Sequence, residues 1–253
     1  MIEAINIVKY YNDKLVLKGV SFSVGEGEIC GYIGPNGAGK TTTIKILTGI
    51  IKPNSGLAYI NGINVVEKPD DVKKIIGYIP EHAPMFETLT PMEFLSFVGK
   101  IYGMSEGEIE RNVFELMEIF EIYDFKDEPM LSFSKGMKQK VILISAIMHD
   151  PKVLFLDEPL NGLDTNAIQI FKEMIKKMAK NGKTIFYSSH LLDVIERICD
   201  KLIIINKGKI IASGTVEDIL READVSQLNE AFIKLTGIET PSEKIDKFLN
   251  RSK

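Results

Sequence analysis

The segment Gly34-Pro35-Asn36-Gly37-Ala38-Gly39-Lys40-Thr41 sets glycine, lysine and a hydroxyl at the spacing G-x-x-x-x-G-K-[ST], a pattern whose chemistry is the grip of a polyphosphate. Glycines at 34, 37 and 39 let backbone N–H groups turn inward around phosphate oxygens without a Cβ clash. A helix opening near Lys40 would aim its positive dipole end at the same charge. Lys40 suits the β and γ phosphates, and the Thr41 hydroxyl suits one position of an octahedral Mg2+ that keeps several waters. Farther along, Val153-Leu154-Phe155-Leu156 runs into Asp157-Glu158. Two carboxylates then sit at the end of an apolar strand, the edge where open parallel sheets bind ligands. Asp157 suits Mg2+, directly or through water, and Glu158 suits polarising an attacking water. Alone, an apolar strand ending in Asp-Glu is a common solvated terminus; the phosphate loop gives this one its reading.

Both groups need a scaffold that brings strand ends to one edge. Residues 2–8, 20–24, 28–33, 57–60 and 75–79 read as strands, and the polar Tyr11-Asn12-Asp13-Lys14 segment reads as a turn between the first two. Residues 41–48 read as the helix that follows the glycine-rich loop. From 90 to about 148 the pattern becomes amphipathic helix, with Met92, Phe94, Leu95 and Val98 on one face and Val113, Leu116, Met117 and Phe120 on another. Strands return at 153–156, 184–187 and 202–205, alternating with helices near 166–179 and 191–198, which argues for a mainly parallel sheet covered on both faces. The expected fold class is therefore α/β: a P-loop NTPase core, an antiparallel β region at its N-terminal end and an inserted α-helical subdomain at about 82–150. A main domain of 1–220 is followed by a charged helical tail of 221–253.

Composition narrows the function. With 253 residues and 45% hydrophobic side chains, the chain can bury a substantial core, and its net charge of -4 lacks the basic face of a general nucleic-acid binder. No apolar run approaches the roughly 18 residues needed to cross a bilayer, and residues 1–10 read as a strand rather than a leader. A membrane role is thus expected to come through a partner. Cys30 and Cys199 have no metal-binding spacing and read as free thiols in a reducing compartment.

With these motifs in place, the chain resembles the ATP-binding subunits of ABC transporters from about residue 2 to about residue 240. The discriminating piece is Phe133-Ser134-Lys135-Gly136-Met137-Lys138-Gln139-Lys140, which resembles the family signature usually written LSGGQ. Phe133, Lys135 and Met137 depart from it in the manner of the ABC-2 exporter group. The resemblance implies that ATP is held by Asn36, Gly37, Ala38, Gly39, Lys40, Thr41 and Thr42, and that Ser134 and Gly136 meet its γ-phosphate, although Ser134 also suits a helix cap. It implies further that Asp164, in Asn161-Gly162-Leu163-Asp164, lines an interface between two subunits. His190, after Tyr187-Ser188-Ser189, would sense the γ-phosphate, whereas His82 and His149 read as ordinary packed or solvated residues. Tyr11 matches the aromatic that stacks on adenine, with Tyr10 as the neighbouring possibility. Glu81, at the end of Ile76-Gly77-Tyr78-Ile79-Pro80-Glu81, stands where the family usually has glutamine, and is expected as a metal and coupling residue.

These likenesses imply an ATPase acting as a homodimer, or with a related ATPase subunit, because the 133–137 segment lies away from its own phosphate loop. ATP and Mg2+ are its expected cofactors, and a transmembrane permease subunit is its expected partner. The expected location is cytoplasmic, on the inner face of the membrane. Phe86, Leu89 and Phe94 read either as a docking groove for that partner or as core. Two rivals remain. A soluble ABC ATPase working on ribosomes or DNA would usually carry two cassettes or a long coiled-coil insertion. A P-loop kinase would have no reason to contain the 133–140 segment or His190.

Overall fold

The structure, a computed structural model, describes residues 1–83, 85–239, 245, 248 and 249. The remainder of the expected tail lies outside the described residues. An antiparallel sheet of order β2-β1-β4-β5 is built from β1 (Ile2–Tyr11), β2 (Lys14–Val24), β4 (Ser55–Ile60) and β5 (Ile63–Asn64). A second sheet of order β10-β9-β3-β8-β7-β6 contains β3 (Ile29–Ile33), β6 (Ile76–Ile79), β7 (Val153–Asp157), β8 (Thr184–Ser188), β9 (Lys201–Asn206) and β10 (Lys209–Gly214). All its pairings are parallel except β9 with β10.

The strands of the second sheet read as unbroken apolar runs because both faces are covered. Cys30 and Tyr32, Val153 and Phe155, and Ile203 and Ile205 face the antiparallel sheet and α1 (Lys40–Leu47). Their alternates, Ile29 and Ile33, Leu154 and Leu156, and Leu202 and Ile204, face the other core, as the two-residue strand period requires. That second core is filled by α3 (Pro91–Ile101), α4 (Glu106–Ile119), α5 (Lys135–Ile147) and α6 (Thr165–Lys180). The entries of α3 and α4 are fixed by reciprocal capping boxes, Thr90 with Glu93 and Ser105 with Glu108.

α2 (Pro69–Ile75), β5 and β10 are not expected from the sequence, and β2 begins earlier than expected. α2 has proline at its first position, aspartates in its first turn and lysines in its last, yet buries only Val72, so it shows no apolar period. β2 opens at Lys14 rather than at 20 because the turn is tight, with Asn12 left-handed at φ 50. β10 was passed over beside its turn Asn206-Lys207-Gly208. α7 (Leu192–Ile198) lies where a helix was expected, and α8 (Val216–Ala223) spans the position at which the tail was to begin. α9 (Leu228–Thr236) buries Leu228 and Ala231 and lays Phe232 and Leu235 against the core. Cys30 and Cys199 are both free. Leu89 and Phe94 pack on the core, whereas Phe86 is 61% exposed and meets Phe97 edge-on at 6.4 Å. Among the described residues no helix is long and apolar enough to cross a membrane.

Candidate active site

Parallel pairing puts the C-terminal ends of β3, β6, β7 and β8 on one edge. The glycine-rich loop leaves β3, Glu81 follows β6, Asp157-Glu158 end β7, and Ser189-His190 follow β8. The loop, Glu81 and Asp157-Glu158 border a cleft of about 780 Å³ lined by Tyr11, Asn36, Gly37, Gly39, Lys40, Thr41, Thr42, Glu81, Asp157 and Glu158, whereas Ser189 and His190 lie outside its lining. Tyr11 reaches this cleft and Tyr10 does not. Ala38 is buried on the outer side of the loop, where it lines a smaller cavity of about 250 Å³.

Backbone geometry makes the loop a cradle. Gly37 and Gly39 have φ of 75° and 115°, conformations that side chains rarely adopt. A Cβ on Gly34 would meet the Ile205 carbonyl oxygen at 2.2 Å. The loop's first glycine is thus dictated by contact with β9, its later ones by the turn. The Lys40 ammonium donates to the Gly34 carbonyl at 2.7 Å and to that of Pro35 at 3.3 Å. Burial lowers its pKa, opposed by the negative charges of Glu158, Asp157 and Glu81. Lys40 is thus a partly buried amine facing three carboxylates.

Burial raises the Asp157 pKa, the Thr41 and Ser188 hydroxyls draw it down, and the neighbouring Glu81 and Glu158 push it up. Its Oδ2 is buried without a hydrogen-bond partner among the described residues. An orphaned buried carboxylate oxygen beside a phosphate loop is a hard donor for a cation. Glu158 takes a left-handed backbone, φ 53, which is uncommon for a residue with a side chain and clusters at functional sites. Its N–H is pinned to the Ser188 carbonyl at 2.9 Å. The Ser189 hydroxyl donates to Glu158 Oε2 at 3.0 Å, and His190 Nδ1 lies 2.9 Å from the same oxygen. Sequence marks Ser189 only as a neighbour of His190; its bond to Glu158 follows from the pairing of β7 with β8. Lys14, Val16, Lys18 and Lys207 also line the cleft and had no motif to reveal them.

Besides Ala38 and His190, three predicted site residues do not line this cleft. Ser134 caps α5, accepting from the Met137 N–H at 3.2 Å. Gly136 lies so close to the Gly162 carbonyl that a Cβ would meet it at 2.6 Å. Asp164 caps α6 by accepting from the Ala167 N–H at 2.8 Å, and pairs with the buried Lys140 at 3.0 Å. The backbone bond and the lysine hold its carboxyl below the usual range.

A strand, a glycine-rich phosphate cradle, a helix N-terminus and a carboxylate-ended neighbouring strand define a P-loop ATPase. The family model described as ABC transporter matches residues 17–161. The linearmycin resistance ATP-binding protein LnrL of Bacillus subtilis (strain 168) is 36% identical over 92% of this chain and 78% of its own length. A solved structure of an ATP-binding subunit of an ABC transporter is 36% identical, covering 93% of this chain and 99% of its own, with a TM-score of 0.89. A dimeric bacterial ABC transporter cassette is 25% identical, covering 85% and 99%, with a TM-score of 0.76. The chain belongs to the ATP-binding subunits of ABC transporters. It is an ATP-binding, ATP-hydrolysing transporter subunit, most like those of the ABC-2 exporter group. The reading as an ATPase of ribosomes or DNA is not favoured by these relatives.

Proposed function

We propose that ATP is hydrolysed in a site built from two chains facing head to tail, with Glu158 orienting the water. The observation that supports this most is the clasp of a buried carboxylate, in a left-handed backbone, by Ser189 and His190 beside a phosphate cradle. Asn36, Gly37, Ala38, Gly39, Lys40, Thr41 and Thr42 hold the phosphates, Tyr11 takes the adenine face, and His190 carries the presence of the γ-phosphate to Glu158. Ser134, Gly136 and Asp164 serve the partner chain's nucleotide, in keeping with their place outside the chain's own cleft.

Thr41, Asp157 and Glu81 would hold Mg2+. Among the described residues no cluster of three His, Cys, Asp or Glu side chains forms a protein-only cage, which suits an ion held largely by phosphate oxygens and water. Bound there, Mg2+ supplies neutralisation of phosphate charge. The transmembrane partner docks beside residues 82–100, where Phe86 and Phe97 stand exposed, and holds the chain to the inner face of a membrane. Nucleic acid has no part in this reading.

Glu158→Gln tests it. The variant keeps the side chain's size and should bind ATP, accumulate as a dimer in size-exclusion chromatography and lose nearly all turnover. Hydrolysis at the wild-type rate would remove Glu158 from the mechanism.

A further inference from the structure

The turn between β9 and β10 is wedged beside the phosphate loop. The Gly208 N–H donates to the Ala38 carbonyl at 3.0 Å, and its carbonyl accepts from the Lys18 N–H at 2.9 Å. A Cβ on Gly208 would meet the Val16 carbonyl oxygen at 2.1 Å, so the turn admits only glycine at that point. The Asn206 amide donates to the Thr236 carbonyl at 2.9 Å and ties the same turn to the end of α9. The turn is therefore held from three sides.

Its remaining residue is Lys207, with φ 47. Glycine and asparagine take that left-handed position readily in a two-residue hairpin turn, and lysine does so at a cost. The ammonium makes no hydrogen bond or ion pair among the described residues. Lys207 is exposed and lines the main cleft together with Tyr11, Lys18 and Gly37, and the smaller cavity beside Ala38 as well. A left-handed backbone, a rigid mount and an unengaged lysine at the rim of a polyphosphate cleft have one common explanation.

We infer that Lys207 is a nucleotide-binding residue, whose ammonium pairs with the phosphates of ATP and ADP from the side of the loop opposite the carboxylates. Lys40 lies among Glu158, Asp157 and Glu81, whereas Lys207 stands on the β2 side with Lys18 and Val16. The two cations approach the chain of phosphates from different directions. The inference rests on the reading of this cleft as the ATP site.

The test is direct binding of ADP and of adenosine, with thermal melting, for wild type, Lys207→Gly, Lys207→Arg and Lys40→Ala. Glycine at 207 relieves the backbone, so its melting temperature should equal or exceed that of wild type while ADP affinity falls about two- to fivefold, the scale of a solvent-accessible charge pair. Its dependence on salt should flatten, arginine should restore affinity, and adenosine should bind all variants alike. Unchanged ADP affinity in Lys207→Gly, with Lys40→Ala impaired, would overturn the inference and leave the cleft's assignment standing. Normal ADP binding by Lys40→Ala would overturn both. A purely architectural Lys207 would lower melting temperature and affinity together, which also refutes the proposal.

Discussion

Removing a single oxygen atom, in Ser189→Ala, separates a positioned Glu158 from one that is merely present. Ser189 is 2% exposed and donates to Glu158 Oε2 at 3.0 Å. A buried hydrogen bond to a charged group is worth about 1.5–3 kcal/mol, and each ~1.4 kcal/mol of lost transition-state stabilisation slows a reaction about tenfold. If the bond serves to aim the carboxylate, kcat should fall about 10- to 100-fold. Ser189 also accepts from the Leu191 N–H at 3.1 Å, but Leu191 is 40% exposed and water replaces that partner. The fold should therefore tolerate the change. Ser189 does not line the cleft, so ATP affinity should stay within about twofold of wild type. Phosphate release at saturating ATP reads the first quantity, and a fluorescent nucleotide reads the second. A kcat within twofold of wild type, with normal melting, would refute the claim that this clasp orients Glu158.

Gly34→Ala forces a Cβ to within 2.2 Å of the Ile205 carbonyl oxygen. Overpacking of that kind costs about 3 kcal/mol, and nucleotide affinity should drop more than tenfold in equilibrium binding as the cradle shifts. His149 supplies a pH dependence. Its ring stacks on Tyr102 at 3.6 Å, its Nε2 meets the Ile76 carbonyl at 3.0 Å, and burial lowers its pKa below the ordinary 6.5. The unfolded chain then takes up the proton first as pH falls below 6.5, so stability is full above that value and declines beneath it. His149→Phe keeps a ring against Tyr102 and should flatten that part of the acid slope in urea titrations; an unchanged slope would show that other groups carry it.

The site was legible in the sequence where its chemistry is local. The phosphate loop, Asp157-Glu158 and the cap at Ser134 are contiguous motifs whose spacing states their geometry, and apolar runs such as 153–156 announce strands buried on both faces. What escaped was non-local or weakly patterned. Ser189 acquires its partner only when β8 pairs with β7, because Glu158 is 31 residues away in sequence. Lys207 belongs to the cleft only because its turn bonds to Ala38. α2 hides because a helix with one buried residue leaves no stripe. The glycine requirement at 34 comes from Ile205 on β9, a contact that no local rule contains.

The signature segment is packed against the stretch that follows Glu158. Its helix is fastened to the stretch after Glu158 at three points: Gln139 donates to the Pro159 carbonyl at 2.8 Å, Gly136 abuts the Gly162 carbonyl, and Lys140 pairs with Asp164. Lys140 is almost wholly buried, so it holds Asp164 at a defined place rather than through a mobile surface pair. On the head-to-tail reading proposed above, the groups that a chain would lend to its partner's nucleotide are anchored to the same segment, 159–164, that follows its own Glu158. A shift of Ser134 would, on the same reading, be passed through these contacts to the segment that follows Glu158. Coupling between the two proposed sites would then run through packing within each chain.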